Sequence, residues 1–205
     1  MDFYLLILGI FIACLGYGIY IVYYFMYHRE LIKNMNGFDM AKEITSDYDN
    51  INVVESQGLY SRYYLNRKVI KLTPKLYSSS DIFSLTLVSI LSSISLLNNG
   101  YMKFMSRFLP FISFCDKSSI VMVILSLVFY SKGDARIGII LGIIILIYQY
   151  CYRQIIYDST EVCRDKIKVK KEKFSVIMGR ICSSHTLFFI SSLIFLLRFI
   201  LIIMY

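Results

Sequence analysis

Residues 3–26 contain no charged side chain, and this run restricts the fold more than any other feature. As a helix rising ~1.5 Å per residue it covers the ~30 Å hydrocarbon core of a bilayer. The rest of the chain agrees, being 57% hydrophobic and only 18% charged, with a mean hydropathy of +0.61. That is more apolar than a soluble domain of 205 residues needs to be, so the chain reads as a membrane protein. Asp2 precedes the run, and His28, Arg29 and Lys33 follow it. A cleaved signal peptide would carry positive charge before the apolar core and a small-residue site after it, and neither is present. An uncleaved anchor with its N-terminus outside is expected. Tyr17, Tyr20, Tyr24 and Tyr27 fall on one face near the inner end as an aromatic belt. Gly9, Ala13 and Gly16 offer a small-residue face for another helix.

Three further spans are expected over residues 118–131, 137–152 and 185–205, giving four. The five residues Lys132, Gly133, Asp134, Ala135 and Arg136 read as the turn of an antiparallel helical hairpin. Arg198, seven residues from the end, is expected to snorkel to the outer surface. Of the 22 Lys and Arg, eleven lie in residues 29–117 and eight in residues 153–180. Four spans with both termini outside place these nineteen, in loops 28–117 and 153–183, in the cytoplasm of a cell-membrane protein. Residues 82–97 are also charge-free, but at ~24 Å they fall short of the bilayer core. A fifth crossing would also force the second basic block across the membrane. A helix buried beside the membrane domain is expected there instead.

Between the anchor and that helix lies a polar stretch of domain-like size. Residues 39–46 read as a short helix, and residues 52–55 and 68–72 as strands, because β-branched and polar residues alternate there, with Gly58 in the turn between. Thr73 and Pro74 stop the second strand. The fold class is therefore mainly α, a multi-pass helical membrane protein with a small cytosolic α+β insert. Its expected parts are an anchor (1–27), the α+β segment (28–81), the charge-free helix with an amphipathic connector (82–117), a transmembrane hairpin (118–155), a basic helix or loop (156–183) and a last span (184–205).

Composition also excludes several chemistries. The five cysteines form no C-x-x-C pair, which argues against a disulfide framework and excludes a zinc knuckle. The two histidines, His28 and His185, stand far apart and read as membrane-boundary residues. The net charge of +8 comes without any nucleic-acid motif and follows from membrane orientation. Gly133 and Asp134 echo an intramembrane aspartyl signature but lack a second membrane Asp. Ser92, Ser93 and Ser95 have no base near them in sequence and read as backbone-bonding residues that permit close packing. The cationic run Lys166, Lys168, Lys170, Lys171 and Lys173 suits a solvated face beside anionic lipid, or a protein partner.

Residues 58–97, GLYSRYYLNRKVIKLTPKLYSSSDIFSLTLVSILSSISLL, align without a gap to a pattern that runs from G-L-T-D-H-Y-D-P to A-A-H-E-V-G-H-A. Gly58, Leu59, Tyr63, Lys68, Leu72, Tyr77 and Ile82 coincide with it, and Ile70 and Thr73 are close replacements. The segment resembles the membrane-bound neutral zinc metallopeptidases, the YugP-like group. Arg107 to Pro110, the hairpin, Tyr157 to Thr160 (family E-F-D-A-S) and residues 37–44 extend the resemblance over nearly the whole chain. It implies a zincin-like frame. In such enzymes two His four residues apart on one helix hold Zn²⁺, the Glu between them serves as general base, and a third ligand comes from elsewhere. Here those positions are Ile90 and Ile94 for the His pair, Leu91 for the Glu and Ile156 for the third ligand. The D-H-Y-D-P signature is reduced to Ser61, Arg62, Tyr63, Tyr64 and Leu65.

None of the four aliphatic side chains binds a metal or moves a proton. The expectation is a pseudoprotease with no catalytic residue, metal or cofactor, acting as a binding or scaffold protein. The alternative from another class is an unrelated small multi-span transport or envelope component. A third is a hydrolase that uses groups the family pattern does not identify.

Overall fold

The computed structural model describes residues 2–48, 50–58, 61–64, 67–97, 100, 111–112, 117–167 and 170–204. Apart from 111–112, the expected connector at 101–116, with Lys103, Arg107 and Pro110, lies outside them, as do Leu59, Leu65, Cys115 and Lys168. The chain divides into two compact units. One joins Met1–Tyr20, Cys115–Arg153 and Cys182–Tyr205, and the other joins Ile21–Phe114 and Gln154–Ile181.

The first unit is helical. It draws on α1 (Asp2–Tyr27), α5 (Lys117–Val128), α6 (Lys132–Lys166) and α7 (Lys171–Met204). Helices α1, α6 and α7 are long and apolar enough to cross a membrane. The sequence predicts four spans, and α5 is the exception: its 12 residues reach only ~18 Å. The expected turn at 132–136 is instead the first turn of α6. Ser131 caps it, accepting from the Asp134 N–H at 3.2 Å and donating to the Asp134 carboxylate at 2.6 Å, a reciprocal capping arrangement.

Glycines set how closely these helices approach. A Cβ on Gly9 would fall 2.7 Å from the Phe195 ring, and one on Gly16 would fall 2.6 Å from Phe188. At the same places the hydroxyls of Ser191 and Ser184 donate to the carbonyls of Gly9 and Gly16, each at 2.7 Å. Both pairs recur after seven residues, so α1 and the second half of α7 repeat one antiparallel contact two turns apart. Met122, Ala135, Phe195 and Phe199 form the core between α5, α6 and α7.

Two polar residues of α7 are buried, and one of them departs from expectation. Arg198 does not snorkel: it is 5% exposed, its Nε lies 2.5 Å from Asp2 Oδ1, and its Nη1 donates to the Ser126 carbonyl and hydroxyl. A guanidinium has five donors in a fixed fork, and here both terminal nitrogens donate, Nη1 to Ser126 and Nη2 to Asp2 at 3.2 Å. His185 is buried edge-on to Tyr152 and Phe188.

The second unit is α/β. Its sheet has the order β1-β3-β2-β4, from strands β1 (Asn52–Glu55), β2 (Arg62–Tyr64), β3 (Val69–Leu72) and β4 (Phe111–Ile112). The strands at 52–55 and 68–72 lie where the alternation places them, but they run parallel, Val53 opposite Ile70. Parallel neighbours need a crossover, and the intervening chain supplies β2, which pairs antiparallel to β3 with Tyr63 also opposite Ile70. Ile70 and Leu72 point into the core.

Helix α2 (Gly37–Thr45) starts on a capping box between Asn36 and Asp39. Gly37 is obligatory there, because a Cβ would lie 1.8 Å from the Leu76 carbonyl oxygen. Thr73 is the N-cap residue of the five-residue α3 (Pro74–Ser78), with Pro74 at its first position.

Candidate functional site

Helix α4 (Ile82–Ile94) is the element on which the sequence places the chemistry, and every one of its residues is buried. Asp81 begins it, its Oδ1 accepting from the Ser84 N–H at 2.8 Å. The other carboxylate oxygen accepts from the Ser79 hydroxyl and lies 3.4 Å from His28 Nδ1. Three successive i→i+3 bonds from Ser95, Leu96 and Leu97 close the far end. Elements α2, α3, β2 and β3 pack around the helix.

The four positions singled out by the family pattern are Ile90 at 0% exposure and Leu91, Ile94 and Ile156 at 1%. All are packed hydrophobic groups. Ile156 belongs to the part of α6 beyond Tyr152, which the sequence treats as a polar helix or loop and which is continuous helix to Lys166. Ile156, Ser159, Thr160 and Cys163 recur at helical spacing and are all buried. Cys163 faces Ser93 and Ser89 of α4, so this stripe of α6 is turned toward α4. Ile90, Leu91 and Ile94 thus share one helix, while Ile156 lies on the stripe that approaches it, seven residues before Cys163.

Hydroxyls inside the site serve the backbone. Thr86 and Ser89 donate to the carbonyls of Ile82 and Leu85, each at 2.7 Å. Ser95 does the same to Ser92, as its type predicts, whereas the buried hydroxyls of Ser92 and Ser93 make no regular hydrogen bond. Burial decides the character of the Cys163 thiol and pushes it up to about 12, against weaker opposing effects of Ser93, Ser89 and Arg164. Such a thiol is neutral at pH 7 and a poor nucleophile.

Beside the helix, Ser61 and Tyr63 are packed into the α/β unit. Ser61 is buried and accepts from the Thr73 N–H at 2.9 Å, stitching β2 to the end of β3. Tyr63 is buried, which pushes its phenol up.

Of the cationic run, Lys166 is paired to Asp47 and Lys173 to Glu30, while Lys170 and Lys171 are exposed. Among the described residues, no three His, Cys, Asp or Glu side chains come together as a metal site. The His28–Asp81 contact is the feature sequence reasoning missed. Its one local signal is Asp81 three residues before Ser84, an N-cap spacing. Comparison with known protein families, curated proteins and solved structures finds no match to this chain.

Proposed function

We propose that this is an integral membrane protein with a zinc-metallopeptidase-like frame whose catalytic groups have been replaced, a pseudoprotease that works by binding or scaffolding. The observation that supports this is α4 itself: Ile90, Leu91 and Ile94, which the resemblance assigns to the ligand and base positions, are all buried. A helix that had only lost its metal would leave polar ligands unpaired in a dry interior, at a cost of roughly 1–3 kcal/mol each. Aliphatic replacement removes that cost.

The cell membrane remains the proposed location, with both termini outside and loops 28–117 and 153–183 cytoplasmic. For that topology α5 must return the chain across the bilayer despite its ~18 Å, since otherwise the basic block at 153–180 would be translocated. The bilayer is the first partner. A protein or anionic lipid would meet the basic segment at Lys170 and Lys171, with Lys166 and Lys173 already paired.

The test is zinc content and casein hydrolysis of the purified full chain. The expected result is sub-stoichiometric zinc and no chelator-sensitive cleavage. Stoichiometric zinc with hydrolysis abolished by chelation would overturn the proposal.

One observation favours the transport alternative. The first unit buries Arg198, His185, Gln149, Ser191 and Ser192 within apolar helices, and ionisable residues in spans commonly mark solute or ion pathways. Solute-dependent flux in proteoliposomes that disappears in Arg198→Met would establish that reading.

A further inference from the structure

We propose that the inner end of α1 carries a headgroup site for an anionic phospholipid, built from Tyr24, Lys75 and His28 with Arg180 beside it. Tyr24 is held on three sides. His28 stacks on it at 4.8 Å, and the rings of Phe25 and Phe83 meet it edge-on at 5.4 and 5.5 Å. Lys75, in the first turn of α3, donates to the Tyr24 hydroxyl at 3.1 Å and lies 5.2 Å from the ring centroid. An ammonium has three donors, so two remain for a ligand. On the neighbouring residue, Tyr23 stacks with Tyr27, and Arg180 sits 5.6 Å from the Tyr23 ring. Neither Lys75 nor Arg180 makes an ion pair with a described residue. Two cations are thus seated on consecutive tyrosines without a counter-ion among the described residues.

The nearby carboxylates do not compete. Asp81 is 2% exposed and occupied by His28, Ser79 and the Ser84 N–H, and Glu30 is taken by Lys173.

The same stretch of α1 says which anion belongs there. Ile21, Val22, Phe25 and Met26 are about half exposed or more, a surface suited to acyl chains. When hydrocarbon covers them, the phosphates of that leaflet lie at the level of the adjoining residues, where tyrosines concentrate. A phosphodiester there meets Lys75 and Arg180 while its chains follow the exposed face. This site is separate from the Lys170 and Lys171 surface, and it does not depend on the peptidase-like reading.

The experiment places the full chain in phosphatidylcholine nanodiscs with and without phosphatidylglycerol and measures lipid selectivity by native mass spectrometry. Each cation near the surface contributes ~1 kcal/mol, so Lys75→Gln is expected to weaken phosphatidylglycerol retention about fivefold, and the double variant with Arg180→Gln further. Lys75→Arg keeps the charge and should retain selectivity, which separates loss of the site from loss of folding. Lys170→Gln with Lys171→Gln should leave selectivity intact. The proposal is overturned if Lys75→Gln binds phosphatidylglycerol like the parent, if only the Lys170 and Lys171 variant loses it, or if inorganic phosphate competes as well as the lipid.

Discussion

Helix α4 in one unit, buried throughout, and the second half of α7 in the other are both apolar and serine-rich, yet hydroxyls on the two act differently. In α4, Thr86 and Ser89 bond back to their own helix. In α7, Ser184 and Ser191 reach across to another helix. The difference lies in the neighbour. Opposite α7 stand Gly16 and Gly9, whose missing side chains leave a carbonyl within reach of a hydroxyl. In α4, Ser89 faces the Cys163 side chain rather than a glycine, and its hydroxyl bonds back to its own helix. At Ser184 and Ser191 the cross-link to a backbone carbonyl is possible because the facing residue is a glycine.

Several substitutions would break or sharpen that contrast. The largest effect is expected at Gly37. A methyl group there meets backbone rather than a side chain that could move, so Gly37→Ala should destabilise the α/β unit by about 3 kcal/mol, read as rapid limited proteolysis of that unit in detergent. Gly16→Val presses instead on the Phe188 ring, which has some freedom to move. A loss of about 2 kcal/mol is expected in thermal unfolding of the full chain, and an unchanged midpoint would mean the α1–α7 contact is not as close as described.

Next comes the direct comparison. Ser191→Ala removes a cross-helix bond and should cost about 1 kcal/mol. Ser89→Ala removes a self-bond that adds little to a helix, and its change should be under about 0.5 kcal/mol. Equal losses would dissolve the distinction between the two helices.

The smallest effect near neutral pH concerns Cys163. Its folded thiol is held up to about 12 against an ordinary value of 9.0. The unfolded chain therefore releases its proton first as pH rises. The stabilising contribution is complete below pH 9 and declines by about 1.4 kcal/mol per pH unit between 9 and 12. Unfolding of the parent minus that of Cys163→Ala should show this slope at alkaline pH and none at pH 7.

Features set by local chemistry are legible in the sequence itself. The uncharged run after Asp2 marks α1, the β-branched alternation marks β1 and β3, and the charge-free character of residues 82–97 marks a short buried helix. What the sequence hides depends on distant partners. Arg198 reads as snorkelling because Asp2 stands 196 residues away, and nothing in the last span indicates that contact. His28 likewise meets Asp81 only after the chain has folded back. Strand β2 is hidden because Arg62–Tyr64 is too short for alternation to register, and the parallel pairing of its neighbours follows from that insertion. The polar extension of α6 is hidden because charge, which signals an end of a span, does not signal an end of a helix. At the candidate site, the four aliphatic identities and the burial of the helix are readable, whereas the elements that enclose it are not.

The seven-residue repeat joining Gly9 and Gly16 to Ser191 and Ser184 also has a consequence for biogenesis. The two partners in each contact are separated by nearly the whole chain, so α1 enters the bilayer long before its match exists. At roughly 5–20 residues per second, Gly16 waits about 10–30 s for Ser184 to be synthesised. During that interval the glycine groove of α1 lies open to lipid or to any other helix with small or hydroxyl residues. The membrane unit is therefore assembled last, and a ribosome that stalls before residue 184 leaves behind an anchor with its docking groove unfilled.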